Sequence, residues 1–393
     1  MWNQFTYYTP TKVVFGTGTE NQTGKLVKEF GGHRVLIVYG SPRVLKNGIM
    51  DRVTSSLEAE GLTFETIGGV VPNPHLSLVY EAIALGKKMN ADFLLAVGGG
   101  SVIDTAKAAA YGLAEEGDVW ELYDHVRKPK ACLPVGVVVT IAAAGSEMSN
   151  SSVITNEKTH DKRGCNYEIS RPRFAVMNPE FTLTLPDWQT MSGCTDIMMH
   201  TMERYFVNGG RLEITDALAE GLLRTVMEAA RTLHRNPGDL QARADVLWAS
   251  SLAHNGLTGC GNREDDFASH RLEHEIGGMF DVTHGAGLAA IWGSWARYVL
   301  KNCLPRFVRY ARNVMGVTIE GTDEEVALAG IEAMEAFYRE IGMPTCMRDL
   351  KIDPTEEQMM EMAHRCAAAN GGKLGSAMVL NEADMLSIYR MAR

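Results

Sequence analysis

The pattern of the chain changes near Pro186, and this change restricts the folds that it can adopt. Before that point, short runs rich in β-branched residues alternate with longer stretches of helix-forming sequence. Such alternation is typical of parallel strands joined by crossover helices. The strand candidates are RVLIVYG (34–40), TFETIGG (63–69), DFLLAVGGG (92–100), VGVVVTIAAAG (135–145) and RFAVMNP (173–179). An α/β domain is therefore predicted for this part of the chain.

Beyond Pro186 the β-branched runs stop, and Ala, Leu, Met and Glu recur at helical spacing. Two long stretches, EITDALAEGLLRTVMEAARTL and TDEEVALAGIEAMEAFYREIG, are opened by Thr or Asp of the kind that caps helices. A chain of 393 residues is long enough for two domains. We expect an α/β domain at residues 1–187 and an all-helical domain at residues 188–393.

Charge and cysteine content narrow the choice of partners and compartment. The 38 Lys and Arg against 48 Asp and Glu leave a net charge of -10, which repels nucleic acid and anionic lipid. The seven cysteines form no CxxC pair, which favours thiols in a reducing cytoplasm over disulfides.

The start of the chain lacks the pattern of a signal peptide. The longest apolar run, at 131–144, is shorter than the ~18 residues that span a membrane. A cytoplasmic protein is expected.

A glycine cluster gives the clearest sign of an anion site. Gly98, Gly99, Gly100 and Ser101 follow an apolar strand candidate and precede the helix-like VIDTAKAAA. Backbone without side chains at a helix start lets amide groups approach a pyrophosphate. The cluster departs from GxGxxG because Ile103 stands at the third glycine position. Neither a Walker A motif nor the usual Rossmann fingerprint is present, so a tight structural turn remains an alternative.

Two pairs of residues suit the coordination of one metal ion. Asp196 and His200 lie four residues apart, as do His270 and His274, so each pair shares one helix face. His284 follows in the loop-like segment DVTHGAGLA, beside glycines that would leave room for a ligand. The remaining histidines are interpreted as surface or structural groups: residues 33, 75, 125, 160, 234, 254 and 364.

One alternative comes from a different enzyme class. The segment from His270 to His274 matches H-x-x-E-H, a zinc-peptidase signature in which both histidines bind zinc and Glu273 acts as the base. Such a site would need a distant carboxylate ligand, for which Glu324 or Glu325 is a candidate. This alternative leaves the glycine cluster and the Asp196–His200 pair without a role.

Several motifs together resemble the iron-containing (group III) alcohol dehydrogenases in order and spacing, nearly from end to end. They are GGGSVIDTAK, TIAAAGSEMSNSSVI, RPRFAVMNPEFTLTLP, TDIMMHTMERYF, and SHRLEHEIGG with THGAGLA. The chain is most similar to the butanol dehydrogenase and aldehyde reductase branch. The resemblance implies a dehydroquinate synthase-like fold with an N-terminal dinucleotide-binding α/β domain and an all-α C-terminal metal-binding domain. It also implies a homodimer.

The resemblance assigns roles to individual residues. The metal ligands, for Fe(II) or Zn(II), fall on Asp196, His200, His270 and His284. His274 matches a further family histidine, which we interpret as a catalytic residue that contacts substrate or relays a proton. The positions that match cofactor-binding residues are Gly98, Gly99, Gly100, Ser101, Asp104, Thr140, Ser146 and Lys162, with Lys107 near the same loop.

Two positions depart from the family pattern. Where NAD-preferring members carry an Asp after the first strand, this chain has Gly40, Ser41 and Arg43, so no carboxylate would repel a 2′-phosphate. Arg43 and Lys46 could pair with that phosphate, which favours NADP(H) over NAD(H). Ala144 replaces a threonine of the family motif and removes one hydroxyl from the expected cofactor site.

The expected reaction is hydride transfer between NAD(P)H and a primary alcohol/aldehyde pair, with the metal ion acting as Lewis acid. The alternative with the same fold is a glycerol dehydrogenase-like or other polyol or hydroxy-acid oxidoreductase. Dehydroquinate synthase-like relatives also use a glycine loop and a bound ion, but they depart from the D-x-x-x-H ligand pair.

Overall fold

The computed structural model describes residues 3–210 and 212–393. Two compact units divide the chain: one is Thr9–Leu185, and the other is Pro186–Arg393 together with the segment before Thr9. Asn3 joins that segment to the second unit, because its backbone N and its side-chain Nδ2 both donate to the carbonyl oxygen of Gly261, each at 3.2 Å. The N-terminal segment, expected in the α/β domain, thus belongs with the helical unit.

The first unit contains eight strands among its described residues. They are β1 (Lys12–Phe15), β2 (Arg34–Tyr39), β3 (Thr63–Ile67), β4 (Phe93–Gly98), β5 (Val135–Val139), β6 (Ser151–Asn156), β7 (Asp161–Asn166) and β8 (Phe174–Met177). Six form one parallel sheet in the order β1-β8-β5-β4-β2-β3. All five predicted runs contribute a strand to this sheet.

Helices connect most of these strands. They are α1 (Thr23–Glu29), α2 (Arg43–Lys46), α3 (Ile49–Ala59), α4 (Leu76–Met89), α5 (Gly100–Ala114) and α6 (Trp120–Tyr123). Every residue of the central strands β4, β5 and β8 is buried. Parallel strands covered on both faces have this uniformly apolar character. The predicted α/β fold is confirmed.

Two features of the first unit differ from the sequence-based expectation. The run at 135–145 is a strand only as far as Val139: Thr140 still donates its N–H to Gly98 of β4, and residues 141–145 form no strand. Strands β6 and β7 form a separate antiparallel pair that the sequence analysis did not predict. Both departures lie in the part of the chain that follows the carboxyl end of β5.

The second unit is built from helices. They are α7 (Asp187–Tyr205), α8 (Glu213–Arg235), α9 (Leu240–His254), α10 (Ala268–Phe280), α11 (His284–Val299), α12 (Leu304–Asn313), α13 (Asp323–Glu340), α14 (Glu356–Ala369) and α15 (Glu382–Ala392). Thr322 and Glu325 form a reciprocal capping box at the start of α13, as its sequence indicates. Helix α8 instead begins after Leu212, with no side-chain cap. Among the described residues, none of the helices has the length and hydropathy needed to cross a bilayer.

Candidate metal centre and cofactor loop

Helix α7 passes through the interior of the helical unit and carries the first two candidate ligands. All of its residues from Thr190 to Tyr205 are buried. Asp196 and His200 lie one turn apart on this helix, with His200 Nε2 at 3.3 Å from Asp196 Oδ1. The i, i+4 spacing places both side chains on one face, as the sequence predicts.

Helices α10 and α11 bring two more imidazoles to the same carboxylate oxygen. His270 lies in the first turn of α10, and its Nε2 is 3.5 Å from Asp196 Oδ1. His284 is the first residue of α11, and its Nε2 is 3.8 Å from that oxygen. Three imidazole nitrogens from three helices thus converge on one carboxylate oxygen.

The convergence fits a shared metal ion. Asp196 Oδ1 and His270 Nε2 are buried, and neither has a hydrogen-bond partner among the described residues. Buried polar atoms ordinarily have partners, so an orphaned pair indicates a missing ligand. Two ligand atoms bound about 2.0–2.1 Å from one tetrahedral ion lie about 3.3–3.4 Å apart, close to the separations found here. One carboxylate and three imidazoles suit Fe(II) and Zn(II).

Carboxylates occupy the opposite side of two of these rings. His270 Nδ1 is hydrogen-bonded to Glu203, and His284 Nδ1 is hydrogen-bonded to Glu273. Burial lowers the pKa of His270, but the charges of Glu203 and Asp196 outweigh this effect and raise the pKa to about 9.

His200 has different surroundings. Its ring stacks on that of His254, with the ring centroids 3.9 Å apart. Burial, together with the neighbouring imidazoles, lowers the pKa of His200 well below its usual value and keeps the ring neutral. From the sequence alone, His254 is interpreted as a surface or structural group, because no spacing rule connects it to His200.

Glycines allow the helices of this centre to approach one another. A Cβ on Gly285 would lie 2.0 Å from the carbonyl oxygen of Ser192 in α7, and one on Gly287 would lie 2.8 Å from Cγ of Glu273. The segment expected to be a loop is therefore the first turn of α11. Its glycines make room for the α7 backbone and for Glu273, where the sequence analysis expected them to make room for a ligand.

His274 lies beside the centre, one turn after His270. Its ring centroid is 5.9 Å from that of His284, and the two residues and Glu273 each offer a ligand atom within 4.8 Å of the others. Glu273 and His284 already hydrogen-bond to each other within this trio. Glu273 and His284 therefore form a hydrogen-bonded pair, and His274 lies next to this pair.

The residues that a zinc-peptidase site would need have other partners in the structure. Glu273, its expected base, is fully buried and hydrogen-bonded to His284. Glu325 closes the capping box of α13, and the exposed Glu324 pairs with Lys301 at 3.3 Å. Neither carboxylate serves as a distant ligand.

The glycine cluster links β4 to α5 at the carboxyl edge of the sheet. Gly99 precedes α5 in an extended conformation, and no side chain caps that helix. A helix start without a side-chain cap presents N–H groups and a positive dipole end, which suits a phosphate. A Cβ on Gly98 would lie 2.4 Å from Val102, and one on Gly99 would lie 2.8 Å from Ile141. The cluster therefore also meets a packing requirement.

Neighbouring strands bring other predicted cofactor residues to the same edge. Thr140 directly follows β5, and its N–H donates to the carbonyl oxygen of Gly98 at 3.0 Å. Gly40, Ser41 and Arg43 follow β2, which pairs with β4. Ser41 and Arg43 are exposed, and Arg43 Nη1 donates to the carbonyl oxygen of Thr184 at 3.1 Å.

Three further predicted residues form a network behind the glycine cluster. Asp104 accepts hydrogen bonds from Ser146 Oγ at 2.6 Å and from Val153 N at 2.9 Å. Lys162 is buried on β7, and its charge acts on the Asp104 carboxyl. The Asp104 carboxylate and the Ser146 hydroxyl are thus hydrogen-bonded within the protein itself, and Asp104 links α5 to the segment after β5 and to strand β6.

This chain matches the models of one protein family and several known proteins. The family model for iron-containing alcohol dehydrogenases matches residues 10–179, and the C-terminal model of the same family matches residues 190–393. NADH-dependent butanol dehydrogenase A from Clostridium acetobutylicum is 37% identical over 98% of both chains. NADPH-dependent aldehyde reductase YqhD from Escherichia coli is 35% identical over 89% of this chain and 90% of its own.

A solved structure extends this similarity to the fold. The crystal structure of NADH-dependent butanol dehydrogenase A from Thermotoga maritima covers 100% of this chain and 99% of its own, with a TM-score of 0.95 and 37% identity. The family models, the full-length relatives and this structure agree. The chain belongs to the iron-containing alcohol dehydrogenase family.

Proposed function

We propose that this protein is a metal-dependent alcohol dehydrogenase and aldehyde reductase that transfers a hydride between NAD(P)H and a primary alcohol/aldehyde pair, as in butanol dehydrogenases. The main support is the convergence of three imidazole Nε2 atoms on Asp196 Oδ1. Similar proteins carry the names NADH-dependent butanol dehydrogenase and NADPH-dependent aldehyde reductase. Small aldehydes and alcohols are the proposed substrates.

The proposed metal site consists of Asp196, His200, His270 and His284. These residues would hold Fe(II) or Zn(II), because their donor groups are a carboxylate and three imidazoles, and His270 would release a proton on binding the ion. When bound, such an ion polarises a carbonyl oxygen as a Lewis acid. The protein's own contribution is to aim the imidazoles from three separate helices; His200 and His270 are held by burial, and the half-buried His284 is held by its hydrogen bond to Glu273.

The proposed cofactor site lies at the carboxyl edge of the parallel sheet. Gly98, Gly99, Gly100 and Ser101 would bind the pyrophosphate through backbone N–H groups at the start of α5. Thr140 and Lys162 would contact the cofactor near the same loop, and Asp104 and Ser146 would keep that loop in place. The bound nicotinamide supplies or accepts the hydride.

We propose NADP(H) as the preferred dinucleotide. The segment after β2 carries Gly40, the exposed Ser41 and, as the first residue of α2, the exposed Arg43. It has no carboxylate, so a 2′-phosphate would meet a cation and no repelling charge. The similar proteins include both NADH- and NADPH-dependent enzymes.

We propose further roles for His274 and for the two units of the chain. His274, beside His284, would contact substrate or move the proton that converts the alkoxide to an alcohol. The α/β unit, Thr9–Leu185, would hold the dinucleotide, and the helical unit would hold the metal. We also propose a cytoplasmic homodimer.

The proposal is tested by following the oxidation of NADPH and NADH with butanal. Metal-stripped protein is assayed under anaerobic conditions before and after addition of Fe(II) or Zn(II). We expect turnover only after metal addition, faster with NADPH, and lost in His270→Ala. Failure of the protein to bind either dinucleotide would refute the assignment.

A further inference from the structure

We infer that Glu203 and Glu273 are positioning residues of the metal centre, each orienting one histidine so that its Nε2 faces Asp196. The inference rests on the proposed function, because it assumes that these Nε2 atoms bind an ion. Neither glutamate belongs to the four proposed ligands.

Glu203 holds His270 at two points. One carboxylate oxygen is hydrogen-bonded to the ring Nδ1, and the other accepts the backbone N–H of His270 at 3.0 Å. Glu203 is completely buried, so no water competes for these contacts. The glutamate therefore defines both the ring orientation of His270 and the position of the first turn of α10.

Glu273 performs the same task for His284 from α10. Its carboxylate is hydrogen-bonded to the ring Nδ1, and its side chain is completely buried. Gly287, one turn into α11, leaves the space that Glu273 occupies, since a Cβ there would lie 2.8 Å from Glu273 Cγ. Because Gly287 has no side chain, the Glu273 carboxylate has space next to His284.

These contacts decide which nitrogen of each ring is available to an ion. A neutral imidazole has one N–H and one nitrogen with a free lone pair. A carboxylate at Nδ1 accepts the N–H, and the lone pair then lies on Nε2, which faces Asp196. His200 is not oriented by a carboxylate in this way. Its buried Nδ1 has no hydrogen-bond partner among the described residues, and its ring stacks on His254. Two of the three imidazoles are therefore oriented by carboxylates.

The experiment measures the affinity of the full-length protein for Zn(II), by competition with a chromogenic chelator. The variants are Glu203→Gln and Glu273→Gln, which keep the side-chain volume and one acceptor oxygen but remove the charge. The matched control is Glu275→Gln on α10, a buried glutamate that pairs with Arg365 at 3.2 Å. We expect affinity to fall about 10- to 100-fold in the first two variants. The control should bind as the wild type does.

A second measurement separates orientation from folding. The visible d–d absorption of the Co(II)-loaded protein reports ligand geometry, so it should change in Glu203→Gln and Glu273→Gln but not in Glu275→Gln. Unchanged affinity and spectra in the first two variants would overturn the inference, as would an equal loss in the control. Absence of Zn(II) binding by the wild type would instead overturn the proposed metal site itself.

Discussion

The ammonium group of Lys107 donates hydrogen bonds to both oxygens of Ser146, at 2.7 Å to the carbonyl and 2.9 Å to the hydroxyl. It also donates to the carbonyl oxygens of Ser149 at 2.9 Å and Ser151 at 2.8 Å. Lys107 is completely buried on α5. One cation from α5 therefore holds the segment from Ser146 to Ser151, which leads into strand β6.

Replacement of Lys107 by an uncharged residue should lower the free energy of unfolding. Lys107→Met keeps the aliphatic stem but removes the ammonium donor from the carbonyls of Ser149 and Ser151, while the carbonyl of Ser146 keeps the Ser149 N–H at 3.3 Å. We expect the free energy of unfolding to fall by about 2–6 kcal/mol, because each buried polar group that loses its hydrogen-bond donor costs about 1–3 kcal/mol. Urea denaturation measures the loss. The control is Lys158→Met, an exposed lysine in the turn between β6 and β7, which should change stability by less than about 0.5 kcal/mol. Equal stability of both variants would contradict the role given to Lys107.

The same lysine predicts a dependence of stability on pH. Burial lowers the pKa of Lys107 from 10.5 to about 8, although Asp104 opposes the shift. Between these values the unfolded chain binds a proton that the folded protein has lost, so the stability that Lys107 contributes rises with pH. The wild type should gain about 1.4 kcal/mol per pH unit relative to Lys107→Met between pH 8 and pH 10.

Urea denaturation of the wild type and Lys107→Met across this pH range measures the difference directly. Other groups that titrate in the range are common to both proteins and cancel. A difference in unfolding free energy that stays flat, or that shrinks as the pH rises, would show that Lys107 keeps its charge in the folded protein.

Two helical glycines should respond in opposite ways to the same substitution. Gly285→Ala in α11 places a Cβ 2.0 Å from the Ser192 carbonyl oxygen, so α11 must move away from α7. We expect a loss of about 1–3 kcal/mol, as for overpacking of a core, and weaker metal binding because His284 moves with the helix. Gly221→Ala in α8 meets no atom within 4 Å and should gain about 0.5–1 kcal/mol through better helix propensity.

Thermal melts and Zn(II) titrations of the two glycine variants provide the comparison. The result that would contradict the packing argument is a Gly285→Ala protein that melts at or above the wild-type temperature and binds Zn(II) normally.

The loop after β2 predicts a change in coenzyme preference. Arg43→Glu replaces the proposed phosphate partner with a repelling charge, so KM for NADPH should rise about 10- to 100-fold, the value of one or two charge-assisted hydrogen bonds. KM for NADH should change little. The control is Lys88→Glu, an exposed lysine near the end of α4 at the amino edge of the sheet, which should leave both constants unchanged. A parallel rise in both KM values for Arg43→Glu would argue against recognition of the 2′-phosphate.

Local periodicity was enough to predict most of the architecture. Apolar runs mark the inner strands β2, β4, β5 and β8 because buried strands need nearly uniform hydrophobicity, and helical spacing marks the second unit. The i, i+4 spacing of Asp196 and His200 places both on one helix face, because an α-helix repeats every 3.6 residues. These properties depend on residues close together in the chain.

The contacts within the candidate site depend on packing between residues that are far apart in the sequence. His254 stacks on His200, and Glu203 contacts His270, across sequence separations for which no local pattern exists. The sequence shows Glu273 only as a member of H-x-x-E-H, whereas the packing of α11 against α10 makes it the partner of His284. Asp104 and Ser146 face each other because α5 lies against the segment after β5. Residue spacing determines the face of an element on which a side chain lies, but only the tertiary structure determines which atom it meets.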